Sequence, residues 1–128
     1  MNFQNEIETL IRARYPILYV ITSEEMRVQK VLVEIAMRRQ KKVFEWTYSS
    51  GLVPAGASIQ SQKGRNPATK EPLAALDLVI DQVEPAIFLF KDFHPFLTRG
   101  NLAVIRRLKD IALHLKNSRK TIVLISPV

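Results

Sequence analysis

Chemistry is first suggested where an apolar run ends abruptly in charge. In "EPAIFLFKDFHPF", residues 84–96, Ile87, Phe88, Leu89 and Phe90 lead straight into Lys91 and Asp92, with His94 two positions on. A buried strand that carries acidic groups to its end can hold magnesium and position a water for phosphoryl transfer. Here the first polar position is a lysine, and a single carboxylate is a poor magnesium site. Two readings follow. In one, Asp92, Lys91 and Glu25 are the polar groups of an acid/base or residual metal site. In the other, which we prefer, Lys91 pairs with Glu24 or Glu25 at the sheet rim and Asp92 accepts turn amides.

A phosphate site needs glycines, whose backbone amides can surround the anion, and a lysine at the start of a helix. The matching turn here, "TSEEMRVQK", residues 22–30, contains no glycine. Ser23, Glu24 and Glu25 stand where a phosphate would lie, and the two carboxylates repel it while occupying the positive end of the helix dipole. This argues against ordinary nucleoside triphosphate binding at this turn. His94 would need a placed nucleophile and an orienting acid to form a triad. Ser23, Ser49 and Ser126 are available, but none is marked as activated. His94 therefore reads as a turn histidine beside Pro95, and His114 as a surface or rim residue. The sequence identifies no catalytic residue and no metal ligand.

Composition narrows the classes further. The chain has 128 residues, 47% hydrophobic and 24% charged, the profile of one ordinary globular domain spanning 1–128. No apolar run approaches the length of a membrane span. The first residues, "MNFQNEIETLIRAR", lack a signal-peptide apolar core, which places the protein inside a cell or organelle. The absence of cysteine excludes disulfides, thiol catalysis and Cys-ligated zinc. The formal net charge is +7, with basic residues spread along the chain. Such a balance admits nucleic acid or an anionic membrane surface as a partner. No recognition motif supports either, and Phe44, Trp46 and Tyr48 fit a buried strand better than a stacking platform.

Alternating elements must position these residues. Phe3, Ile7, Leu10 and Ile11 predict a helix over 3–14, ended by Pro16. "PILYVI", 16–21, is an apolar run of the kind buried on both faces of a parallel sheet. Thr22 and Glu25 form a capping-box pattern for the next helix, which gathers Arg38, Arg39, Lys41 and Lys42 at its negative end. "VFEWTY", 43–48, predicts a second strand. Residues 49–71 hold three of the four glycines and predict a long, flexible or functional loop. Pro72 opens a third helix, 86–91 form a third strand, Leu102–Leu115 a fourth helix, and "TIVLIS", 121–126, a fourth strand. This α-β-α-β-α-β-α-β order predicts an α/β three-layer sandwich with a parallel sheet of four strands.

Order and motifs together resemble a known family. "RYPILYVITSEE", "VFEWTYSSGL" and "PAIFLFKDFHPFL" are similar to the N-terminal region of the AAA-type ATPase encoded as a hypothetical open reading frame in cyanobacteria and red-lineage plastids. The resemblance covers the whole chain. It implies that this region precedes a regular AAA domain, beyond residue 128, which binds ATP and magnesium. It implies no cofactor for residues 1–128. The region itself resembles a degenerate AAA core lacking the P-loop. Lys91 falls at the magnesium-linked aspartate of the Walker B strand and Asp92 at its catalytic glutamate. The turn 22–30 takes the Walker A place, with Lys30 farther along, and "TIVLIS" is similar to the sensor-one strand. Loop 49–71 falls where AAA proteins carry a pore loop. AAA topology implies the strand order 1-4-3-2, with the strand that would flank strand one lying beyond residue 128. Strand one then has an open, apolar edge that invites pairing, either with a second copy or with a later part of a longer chain.

The sequence thus supports a non-catalytic domain for oligomerisation or partner recognition within a larger ATPase. Gly51, Lys63, Arg65 and His94 are its candidate partner contacts. The resemblance further implies a cyanobacterial cytoplasm or plastid stroma and a link to photosynthesis and inorganic carbon use. The alternatives are a nucleotide-binding or hydrolytic α/β domain built on Asp92 and Lys91, and a basic nucleic-acid-binding module.

Overall fold

The computed structural model describes residues 2–56 and 64–127. Helix α1 (Phe3–Arg12) starts where the Asn2 side chain accepts the Asn5 N–H at 2.8 Å. It ends at Arg12, short of residue 14, because the Tyr15 N–H turns back to the Leu10 carbonyl with Arg14 in the left-handed region at φ 63°. There follow β1 (Ile17–Ile21), α2 (Glu25–Arg39), β2 (Lys42–Thr47), β3 (Gly51–Pro54), α3 (Pro72–Asp81), β4 (Ala86–Lys91), α4 (Leu102–Leu115) and β5 (Lys120–Ser126). The expected capping box does not form. The Thr22 hydroxyl accepts the Glu24 N–H at 3.0 Å, a tight local turn, so the cap of α2 falls on Glu24 and Glu25 is its first residue.

The sheet has five strands in the order β1-β5-β4-β2-β3. The expected all-parallel, four-stranded sheet is therefore corrected. β1, β5, β4 and β2 are parallel and lie in the spatial order 1-4-3-2, but β3 adds an antiparallel fifth strand beyond β2. β3 lies inside the stretch expected to be a loop.

Gly51 is the reason the chain can turn back there. It sits at φ 77°, and a Cβ on it would lie 2.1 Å from the Asn66 carbonyl oxygen. Residues 66–69 then fasten the hairpin. The Asn66 N–H donates to the Ser50 carbonyl at 2.7 Å, and the Thr69 hydroxyl accepts the Leu52 N–H at 2.8 Å. The Trp46 indole N–H donates to the Thr69 carbonyl at 2.7 Å. The stretch 49–71, expected as a long, flexible or functional loop, thus contains the strand β3 and a short 3-10 turn, Pro67–Thr69, while 57–63 lie outside the described residues.

Helices cover both faces of the sheet. On one, Phe88, Phe90, Trp46, Ile122 and Leu124 pack with Ala75, Leu76 and Val79 of α3 and Val104, Ile111 and Leu115 of α4. On the other, Leu18, Ile87, Leu89, Val123 and Ile125 pack with Ile7 and Ile11 of α1 and Val28, Leu32 and Ile35 of α2. Every residue of β4 and β5 is buried, which explains their unbroken apolar runs. Burying one such side chain contributes about 2 kcal/mol, and truncating Phe88 to alanine costs roughly 3–5 kcal/mol once the cavity is included. Lys120 opens β5 in a buried position and donates to the Val79 and Ile80 carbonyls at 2.8 and 3.0 Å, closing the end of α3. Burial holds its pKa below the ordinary lysine value.

Candidate functional site

In an open α/β sheet a ligand lies beyond the carboxyl ends of the parallel strands. Here β1 delivers Thr22, Ser23, Glu24 and Glu25 to that end; β2 delivers Thr47, Tyr48 and Ser49; β4 delivers Lys91, Asp92 and His94; and β5 delivers Ser126. The Thr22 N–H donates to the Ser126 carbonyl at 2.8 Å and the Asp92 N–H to the Ile125 carbonyl at 3.1 Å, so three strand ends are tied together.

Strand alternation puts Lys91 on the α2 face with Ile87 and Leu89, and Glu45 of β2 on that same face. Lys91 Nζ donates to Glu45 Oε2 at 3.0 Å, with the two side chains only 10% and 15% exposed. The expected partners, Glu24 and Glu25, are not used. Glu24 lies instead beside Arg27 at 3.3 Å, both exposed, an arrangement of small energetic weight. The correction has a physical cause: Glu45 is nearly out of water, and an inward carboxylate must find a cation.

Asp92 is exposed and left-handed at φ 54°, and its carboxylate accepts no hydrogen bond among the described residues, so it does not gather turn amides as expected. His94 opens a short 3-10 turn, His94–Leu97, half-buried, with Nδ1 buried and unpartnered. Ser23 and Glu24 are exposed and Glu25 half-exposed. Beside this turn a cleft of about 250 Å³ is lined by Phe3, Val20, Ile21, Thr22, Glu24, Arg27 and Val28, mostly apolar and without a glycine. Among the described residues no three carboxylate or imidazole groups converge as a metal site requires.

Aromatic packing closes the other side of the strand ends. Phe44 stacks on Phe88 and Trp46 on Phe90, while Phe93 and Phe96 meet Trp46 edge-on at 5.3 and 5.9 Å. Trp46 is fully buried, so it offers no stacking face to a base. Tyr48 remains exposed, in contact with Phe96.

Of the candidate contacts, Gly51 is buried against Asn66, Arg65 is exposed, and Lys63 lies outside the described residues. Sequence reasoning missed Glu45, although its place between Phe44 and Trp46 in "KVFEWT" marks an inward acid. No helix among the described residues is long and apolar enough to cross a membrane.

These features define a three-layer α/β domain of the doubly wound kind, with its strand ends filled by an acidic, glycine-free turn and an internal ion pair. The chain belongs to the family of SpoVK-like AAA ATPase N-terminal domains, whose family model matches residues 3–128. It is 34% identical over 128 residues to the AAA domain-containing protein ycf46 of Trieres chinensis, covering 98% of this chain and 24% of that protein. With the ycf46 protein of Guillardia theta the identity is 33%, covering 98% and 24%. With that of Pyropia yezoensis it is 30%, covering 98% and 25%. The chain thus spans about a quarter of the length of these relatives.

Proposed function

We propose that this domain is a non-catalytic part of a larger AAA ATPase and serves its assembly or the recognition of a protein partner. The observation that carries this reading is the edge formed by β1. Among the described residues that strand pairs on one side only, with β5, and Ile21 is 67% exposed. A groove of about 470 Å³ runs beside it, lined by Phe3, Ile7, Leu10, Ile17 and Ile21 among others. An apolar edge of this kind is a template for another strand. Arg65, in the segment after β3, and His94, in the turn after β4, are further contacts in this reading, whereas Gly51 serves the turn. Light scattering on the chain and on Ile21→Lys tests the reading: the first gains mass with concentration and the second does not.

ATP and magnesium are assigned in this reading to an AAA domain beyond residue 128. A plastid stroma or cyanobacterial cytoplasm, and a role in photosynthesis and inorganic carbon use, rest on the family resemblance.

The rival reading, nucleotide binding through Asp92 and Lys91, draws on the exposed, left-handed Asp92. Lys91 weakens it, because its charge is already held by Glu45. Calorimetry with magnesium and ATP separates the two. Micromolar binding abolished by Asp92→Ala supports the rival, and its absence supports a domain without nucleotide chemistry.

A further inference from the structure

Opposite the strand ends, five cations converge from three separate segments. Arg12 and Arg14 follow from the end of α1, Arg39 and Lys41 from the end of α2, and Arg119 from the turn into β5. They line a cleft of about 190 Å³ that contains no carboxylate. The chain reverses beside it through left-handed residues at both helix ends, Arg14 at φ 63° and Gln40 at φ 55°.

Ordinary helix-end chemistry accounts for only part of this. Cations do favour helix C-termini, but each helix end supplies only about half a negative charge. The nearby acid, Glu8, is divided between Arg38 at 2.6 Å and Arg39 at 3.2 Å, which hold its carboxyl below the usual range. Among the described residues no ion pair involves Arg12, Arg14, Lys41 or Arg119, although Arg119 does donate to the Arg39 carbonyl at 3.5 Å. Most of the five charges are left uncompensated. Burial first, and then Arg119, Arg14 and Arg39, hold the Lys41 pKa below the ordinary lysine value.

We propose that this cleft binds a small phosphate-type polyanion, with Arg14, Arg39 and Arg119 supplying planar donor forks and Lys41 a point charge. Arginine forks match phosphate oxygens bidentately, and lysine adds charge without that geometry. The volume lies below the roughly 300–1,000 Å³ of sites for larger organic ligands, which selects an anion the size of one or two phosphate groups. The concave shape, lined by cations from three short segments, favours such an ion over a nucleic-acid strand, which calls for an extended basic track. The site is separate from the strand ends and does not depend on the β1 edge.

Calorimetry with inorganic pyrophosphate at low salt tests it. The expected result is saturable binding, with about tenfold weaker affinity for Lys41→Gln and again for Arg119→Gln. Arg106→Gln, a cation on the outer face of α4, should bind as the parent does. Both cleft variants should stay folded, because each removes repulsion, and pyrophosphate should raise the melting temperature of the parent but not of the double variant. The absence of saturable heat, equal weakening by Arg106→Gln, or tighter binding of single-stranded RNA than of pyrophosphate overturns the proposal.

Discussion

Lys91 and Glu45 neutralise each other at 3.0 Å, nearly out of water, on the face of the sheet covered by α2. The lysine therefore belongs to the fold.

Breaking the pair leaves one charge stranded, which costs about 3 kcal/mol. Lys91→Met should lower the urea midpoint accordingly. Lys91→Met with Glu45→Met should recover most of the loss, since a well-packed apolar pair avoids the desolvation cost. Urea unfolding of both variants checks this; a double variant no more stable than the single one contradicts it.

Gly51→Ala should destabilise the β2–β3 hairpin. The left-handed backbone alone costs on the order of 1 kcal/mol, and the added methyl would meet the Asn66 carbonyl. We expect a loss of about 2–4 kcal/mol by denaturant unfolding. Amide exchange should speed up first at Leu52 and Asn66, whose N–H groups close the hairpin.

Lys41 gives the chain a particular pH response. Its folded-state pKa lies below its unfolded value, so between the two the unfolded chain binds more protons and stability rises with pH. The penalty of holding Lys41 charged is fully present at neutral pH and fades as pH climbs toward the ordinary lysine value. Lys41→Gln should therefore be more stable than the parent at neutral pH, with the difference shrinking in alkaline unfolding curves.

Much of the fold was legible because both-face burial leaves unbroken apolar runs. "AIFLFK" and "TIVLIS" read as central strands for that reason, and the parallel strands take the order the family resemblance implied. β3 was not legible. Its four residues begin with glycine and end with proline, and they become a strand only because β2 pairs with them and Asn66 and Thr69 hold them. The glycine-free turn at Ser23–Glu25 was plain from residue types alone. The partner of Lys91 was not, because Glu45 is brought to it by neighbouring strands rather than by sequence spacing. The cationic cleft was hidden for the same reason, its residues coming from three distant segments.

The central claim, that the domain works through a surface rather than a reaction, is tested most directly at β1. Light scattering over a wide concentration range, paired with amide exchange, reads both the mass and the protection of that strand. We expect mass to grow with concentration, β1 amides to gain protection in step, and Ile21→Lys to abolish both changes. A monomer at every concentration, with β1 amides as strongly protected as those of β4, would contradict the account.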